Sequence, residues 1–146
     1  MAKFKYFELD EFLDSAIAKK KGVQNYPTFE VVDHIEELVR AILDPIREAW
    51  GSGLDVSSGF RCQKLNTLIG GSLTSAHLRG YAADIIPTNG KIKEFYEFAE
   101  NYLKKHNVAF DQSIREKDSR GNEWWHIGLY SSMGTQRRQF KALGKK

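Results

Sequence analysis

The sequence predicts an α+β fold in which a small antiparallel sheet is flanked by helices. Two stretches, residues 28 to 51 and 91 to 105, repeat apolar side chains at helical spacing. Residues 54 to 61, 109 to 115 and 123 to 130 alternate as strands do, and the last two flank the turn-rich segment 117 to 122. At 146 residues the chain suits one domain whose core needs no metal or disulfide to form.

Each element has a local reason. In residues 10 to 21, Leu13, Ala16 and Ile17 recur at helical spacing and Gly22 supplies a stop, which predicts a short amphipathic helix. Thr28 is a candidate N-cap for the long core helix, whose apolar face runs from Val31 through Ile35, Leu38 and Ile42 to Ile46. Pro45 should kink or divide that helix, because it lacks a backbone donor. A strand is expected from Leu54 to Arg61, then a helical turn or two through Leu65 and Ile69, closed by Gly70 and Gly71. The helix at 91 to 105 buries Phe95, Ala99 and Leu103, and carries Lys104 and Lys105 where its dipole favours cations. Strands 109 to 115 and 123 to 130 form an antiparallel hairpin, and the tail from Ser131 to Lys146 is expected to be partly loose.

Composition excludes several function classes. Hydrophobic residues at 41% and charged residues at 28% are ordinary for a globular protein, and no apolar run reaches the length of a membrane span. A net charge of +3, spread along the chain, is too weak to indicate a nucleic-acid partner. The single cysteine, Cys62, excludes an internal disulfide and a cysteine-rich zinc site. The first residues lack the apolar stretch of a secretory signal, so the expectation is a protein cytoplasmic as synthesised and delivered by other means. No exposed apolar helix calls for a partner, and a monomer is expected.

The chemistry concentrates in Ser75-Ala-His77-Leu-Arg-Gly80-Tyr-Ala82-Ala-Asp84. An imidazole and a carboxylate seven positions apart, on a turn that feeds a strand, can reach one cation. His126, in Glu123-Trp124-Trp125-His126-Ile-Gly128, offers a third ligand from another strand. Two histidines and an aspartate with an open position would form a catalytic rather than a structural zinc site. Asp84, set between Ala83 and Ile85, needs compensation if buried, and a salt bridge to Arg61 or Arg79 is the alternative to a metal. His34 reads as a surface or core residue and His106 as a helix-end cation, neither as a ligand.

The pattern Ser75-x-His77-x-x-Gly80-x-Ala82-x-Asp84, followed by Glu123-x-x-His126-x-Gly128 and preceded by Ser58-Gly59-Phe60-Arg61, resembles the zinc D-alanyl-D-alanine carboxypeptidase family. That family includes D-alanyl-D-alanine dipeptidases and phage endolysin peptidases and shares its fold with the hedgehog signalling domain. The resemblance covers roughly residues 28 to 130. It implies that His77, Asp84 and His126 hold Zn²⁺, that Glu123 is the catalytic acid/base, and that Arg61 and Ser75 hold substrate. Residues three apart on an ideal strand point to opposite faces, so Glu123 can join His126 only from the strand's start or across a bulge.

Other residues are expected around the same cleft. Arg61 can bind a peptide carbonyl or steady an oxyanion, or else pair with Asp84 or Asp55. Gln112 is expected to face the cleft from the partner strand, Asp111 and Glu116 are available as hydrogen-bond acceptors or face solvent, and one of Trp124 and Trp125 should wall the cleft while the other packs the core. The resulting expectation is a zinc peptidase acting on peptidoglycan stem peptides. The alternatives are a non-catalytic zinc-stabilised module binding cell wall or protein, and, resting on charge alone, a small basic nucleic-acid protein.

Overall fold

A computed structural model describes residues 4–145 as an α+β fold built on a five-stranded sheet of order β1-β2-β4-β3-β5. The strands are β1 (Leu54–Ser58), β2 (Ala82–Pro87), β3 (Gln112–Lys117), β4 (Glu123–Gly128) and β5 (Gln139–Lys145). All neighbours pair antiparallel except β3 and β5, which are parallel. The helices are α1 (Ala16–Lys21), α2 (Phe29–Leu38), α3 (Asp44–Trp50), α4 (Gln63–Leu68) and α5 (Ile92–Lys105). Among the described residues no helix is long and apolar enough to cross a membrane.

The long core helix is continuous from α2 to α3, joined by a wider π turn at Val39–Leu43. Pro45 follows directly, where its missing N–H and its ring disturb the preceding turn, and the π segment absorbs the mismatch without ending the helix. Val39, Ile42, Leu43 and Ile46 on this stretch are all 0% exposed. They pack with Phe95 and Leu103 of α5 and with Trp125 and Ile127 of β4 in one hydrophobic core.

Three expectations need correction. Residues 10 to 21 are not one helix: a 3-10 turn at Leu9–Phe12 buries Phe12, and α1 starts afresh with Ser15 Oγ accepting from Ala18 N–H. The strand expected to reach Arg61 stops at Ser58, because the Phe60 N–H donates to the Phe12 carbonyl and draws the chain out of the ladder. The C-terminal segment is not loose through Lys145. Phe140 packs on Phe110 and residues 139 to 145 pair along β3.

The hairpin is as expected, with its turn locked by Asp118, whose carboxylate accepts from the Arg120 and Asn122 backbone N–H groups and from Asn122 Nδ2. Register places Asp84 on β2 and Ile114 on β3 directly opposite His126 of β4. The sheet face bearing these residues lies opposite the one that packs Trp125 and Ile127 into the core, and it carries the cleft.

Candidate metal centre

His77 is placed by a 3-10 turn, Ala76–Arg79, that Ser75 caps by accepting from the His77 N–H. Gly80 closes the turn at φ +80°, and a Cβ there would meet the Val31 carbonyl oxygen at 2.8 Å, so the backbone reverses straight into β2 and Asp84. Asp84 and His126 are cross-strand partners on the same face.

These elements bring one ligand atom from each of His77, Asp84 and His126 within 4.8 Å of one another. Asp84 Oδ1 lies 3.3 Å from His77 Nε2 and 3.1 Å from His126 Nδ1. His77 is only 2% exposed, and its Nδ1 sits 2.7 Å from the Gly59 carbonyl oxygen. That oxygen can only accept, so Nδ1 carries the hydrogen and Nε2 turns a lone pair towards the Asp84 carboxylate. Two acceptors facing each other at this distance require a proton or a cation between them.

The donor set fits Zn²⁺: two imidazole nitrogens and a carboxylate oxygen, with one histidine already oriented by a carbonyl behind it. Burial pushes the Asp84 carboxyl up, but the His77 and His126 imidazoles beside it hold it well below the usual carboxylate range. The Asp84 carboxylate is therefore ionised across the physiological range.

The loop behind His77 explains the Ser58-Gly59-Phe60-Arg61 pattern. A Cβ on Gly59 would lie 2.5 Å from the Phe12 carbonyl oxygen, so only glycine lets the chain pass close enough for its own carbonyl to reach His77. Asn25 locks the same loop. Its Nδ2 donates to the Leu13 and Phe60 carbonyls, and its Oδ1 accepts from the Cys62 N–H. Nothing in the sequence around Asn25 signals this role.

The cluster lies in a cleft of about 820 Å³, whose walls include Arg61, Gln112, Glu116 and Trp124. Arg61 enters from the loop after β1, and its Nη2 donates to Ser75 Oγ at 3.4 Å. Its Nε is buried without a hydrogen-bond partner, and no ion pair joins Arg61 to Asp84 or Asp55 among the described residues. Burial lowers the pKa of the Arg61 guanidinium against the opposing pull of Asp84 and Glu116, yet a guanidinium this basic stays charged. Gln112 faces the cleft and donates to Gln139 of β5. Trp124 lines the cleft, while Trp125 is 0% exposed and packs edge-on against Phe95.

Glu123 is not brought to the cluster. β4 pairs with β3 without a break from Glu123 to Gly128, so no bulge redirects it. Glu123 shares the face of Trp125 and is held there by Arg115, whose Nε and Nη2 each lie 2.7 Å from Glu123 Oε1. Glu116, on the neighbouring strand, lines the cleft instead. Opposite Trp124 and on the cleft side, it is 7% exposed and accepts from Trp124 Nε1 at 2.7 Å. Period-two alternation from Gln112 through Ile114 points to Glu116, but the strand expected from sequence ended one residue short of it.

Asp111 and Glu116 were candidates for solvent-facing positions, and both are buried. Asp111 is gripped by Arg137, with Nε to Oδ1 at 2.8 Å and Nη2 to Oδ2 at 2.7 Å. His34 stacks on Tyr81 and donates from Nδ1 to the Arg79 carbonyl, remote from the ligand cluster.

No curated protein matches the chain. A family model described as Peptidase M15 matches residues 5–119, a span that takes in the Gly59 loop, Arg61, His77, Asp84 and Glu116. With most of its length matched and a His-Asp-His cluster that could hold a metal ion in its cleft, this chain belongs to the peptidase M15 family, as its resemblance to the zinc D-alanyl-D-alanine carboxypeptidases implied.

Proposed function

We propose that this peptidase is zinc-dependent and hydrolyses peptide bonds in the D-alanine-containing stem peptides of bacterial peptidoglycan, with His77, Asp84 and His126 as ligands and Glu116, not Glu123, as acid/base. The observation that carries the reading is the geometry of the cleft: candidate ligand atoms within 4.8 Å of one another, with a buried carboxylate and a half-buried guanidinium on the surrounding walls. The substrate class follows from the family resemblance.

Zn²⁺ held by this donor set would polarise a substrate carbonyl and lower the pKa of water towards neutrality. Glu116 takes a proton from the attacking water and returns it to the departing amine, since a carboxylate on the wall of the cleft can perform both transfers. Trp124 Nε1 holds Glu116 in place through its 2.7 Å hydrogen bond. Arg61 places a fixed positive charge on the cleft wall for the developing oxyanion or a substrate carbonyl, and Ser75 steadies its far end. Trp124 and Gln112 supply a flat wall and an amide for the substrate backbone.

Chelator should abolish release of new peptide termini from purified muropeptides, and added zinc should restore it, with mass spectrometry identifying the severed bond. Hydrolysis that persists without metal would overturn the mechanism. Binding to cell walls with no cleavage of any stem peptide would favour a non-catalytic module on the same fold.

A further inference from the structure

A second groove, of about 530 Å³, also borders Arg61 and Asp84. It shares Arg61, Ile69 and Asp84 with the larger cleft, so the two adjoin at one member of the candidate metal cluster. One wall is Asp14 to Ile17 at the start of α1, and the other is Val56, Ser57 and Ser58 of β1. β1 is the terminal strand of the sheet, and a bulge between Val56 and Ser58 marks the point where its ladder reaches Asp84.

Among the described residues, no backbone group outside β2 bonds to Val56, Ser57 or Ser58. An unpaired strand edge is a template for an extended peptide, with main-chain hydrogen bonds giving affinity and the groove receiving alternate side chains. Just beyond, the Phe60 N–H already takes the Phe12 carbonyl, so this edge accepts extended backbone from within the protein itself. Arg61 lines both grooves.

We infer that the groove beside β1 is a subsite for the peptide on one side of the scissile bond, laid as an added strand, so that the enzyme cuts internal bonds and does not require a free terminus. This rests on the proposed peptidase activity. In the reaction one amide C–N bond breaks, the oxygen of water joins the acyl carbon to give a carboxylate, and the amine leaves as an ammonium carrying both of water's protons. A cleft and a groove that adjoin at Asp84 leave room for chain beyond each product terminus, which a site built only for a terminal residue would close.

The test compares a stem pentapeptide capped by N-acetylation and C-amidation with the free D-Ala-D-Ala dipeptide. The zinc-loaded enzyme should cut the capped peptide internally. In Ile17→Trp, which fills the groove from α1 at a position 47% exposed, the ratio of kcat/KM for the capped peptide to that for the dipeptide should fall about tenfold with zinc content and circular dichroism unchanged. In zinc-loaded Glu116→Gln the capped peptide should slow hydrogen exchange at the amides of residues 56 to 58. Cleavage restricted to free-ended substrates, with neither a change in ratio nor protection of those amides, would overturn the subsite and leave the peptidase standing. If no peptide is hydrolysed, the peptidase reading fails, and exchange alone decides the groove: protection at 56 to 58 supports it as a peptide site and its absence overturns it.

Discussion

At the scale of single residues, the two glutamates near the hairpin have opposite fates because they sit on opposite faces of one sheet. Glu116 shares the cleft with Asp84 and His126, whereas Glu123 is committed to Arg115. Glu116→Gln should therefore retain zinc and lose about 10²–10⁴-fold in kcat, while Glu123→Gln should change kcat little, as steady-state kinetics with metal analysis would show. The reverse pattern would return the acid/base role to Glu123. Gly59 has a role that needs no side chain. Gly59→Ala places a Cβ 2.5 Å from the Phe12 carbonyl oxygen, and should cost about 1–3 kcal/mol in denaturant unfolding as the overpacked loop shifts. The same shift withdraws the carbonyl behind His77, so zinc affinity should weaken about 10–100-fold in a competitive chelator titration.

Among the elements, β5 changes the reading of the C-terminal segment most. It is the parallel strand at the far edge, and Arg137, just before it, closes both of its nearest guanidinium nitrogens on the buried Asp111. Arg137→Ala leaves that carboxylate with the Arg137 backbone N–H but without its countercharge, and should lower stability by about 1–3 kcal/mol in thermal unfolding. Asp111 also begins the turn into β3, which carries Gln112 and Glu116 into the cleft. A stability loss in Arg137→Ala accompanied by a lower kcat would place the C-terminal segment among the supports of the site.

For the whole molecule, acid stability follows from the same carboxylate. Burial tends to raise the Asp111 carboxyl, but the hydrogen bonds and charge of Arg137 hold it below its ordinary value. The folded pKa is thus lower than the unfolded one, near 3.9, so this contribution is complete above about pH 4 and is lost as pH falls through the folded value. Asp111→Asn should be less stable than the parent at neutral pH and lose less on acidification, which melting curves between about pH 2 and pH 7 would reveal. Parallel curves for the two proteins would show that the Asp111 pair does not set the acid limb.

Local pattern alone determined much of this protein. The α5 stripe, the Asp118 hairpin and the cleft position of Gln112 were legible because each depends on spacing within a single helix, hairpin or strand, and the motifs around His77, Asp84 and His126 named residues that three separate elements bring together. Tertiary structure decided the rest. Asn25 and Gly59 act through groups far away in sequence, β5 exists because β3 offers an edge in register, and the choice between Glu116 and Glu123 depends on an unbroken ladder. Spacing records which way a side chain leaves its own backbone, but its partner across space is set only when distant segments pack.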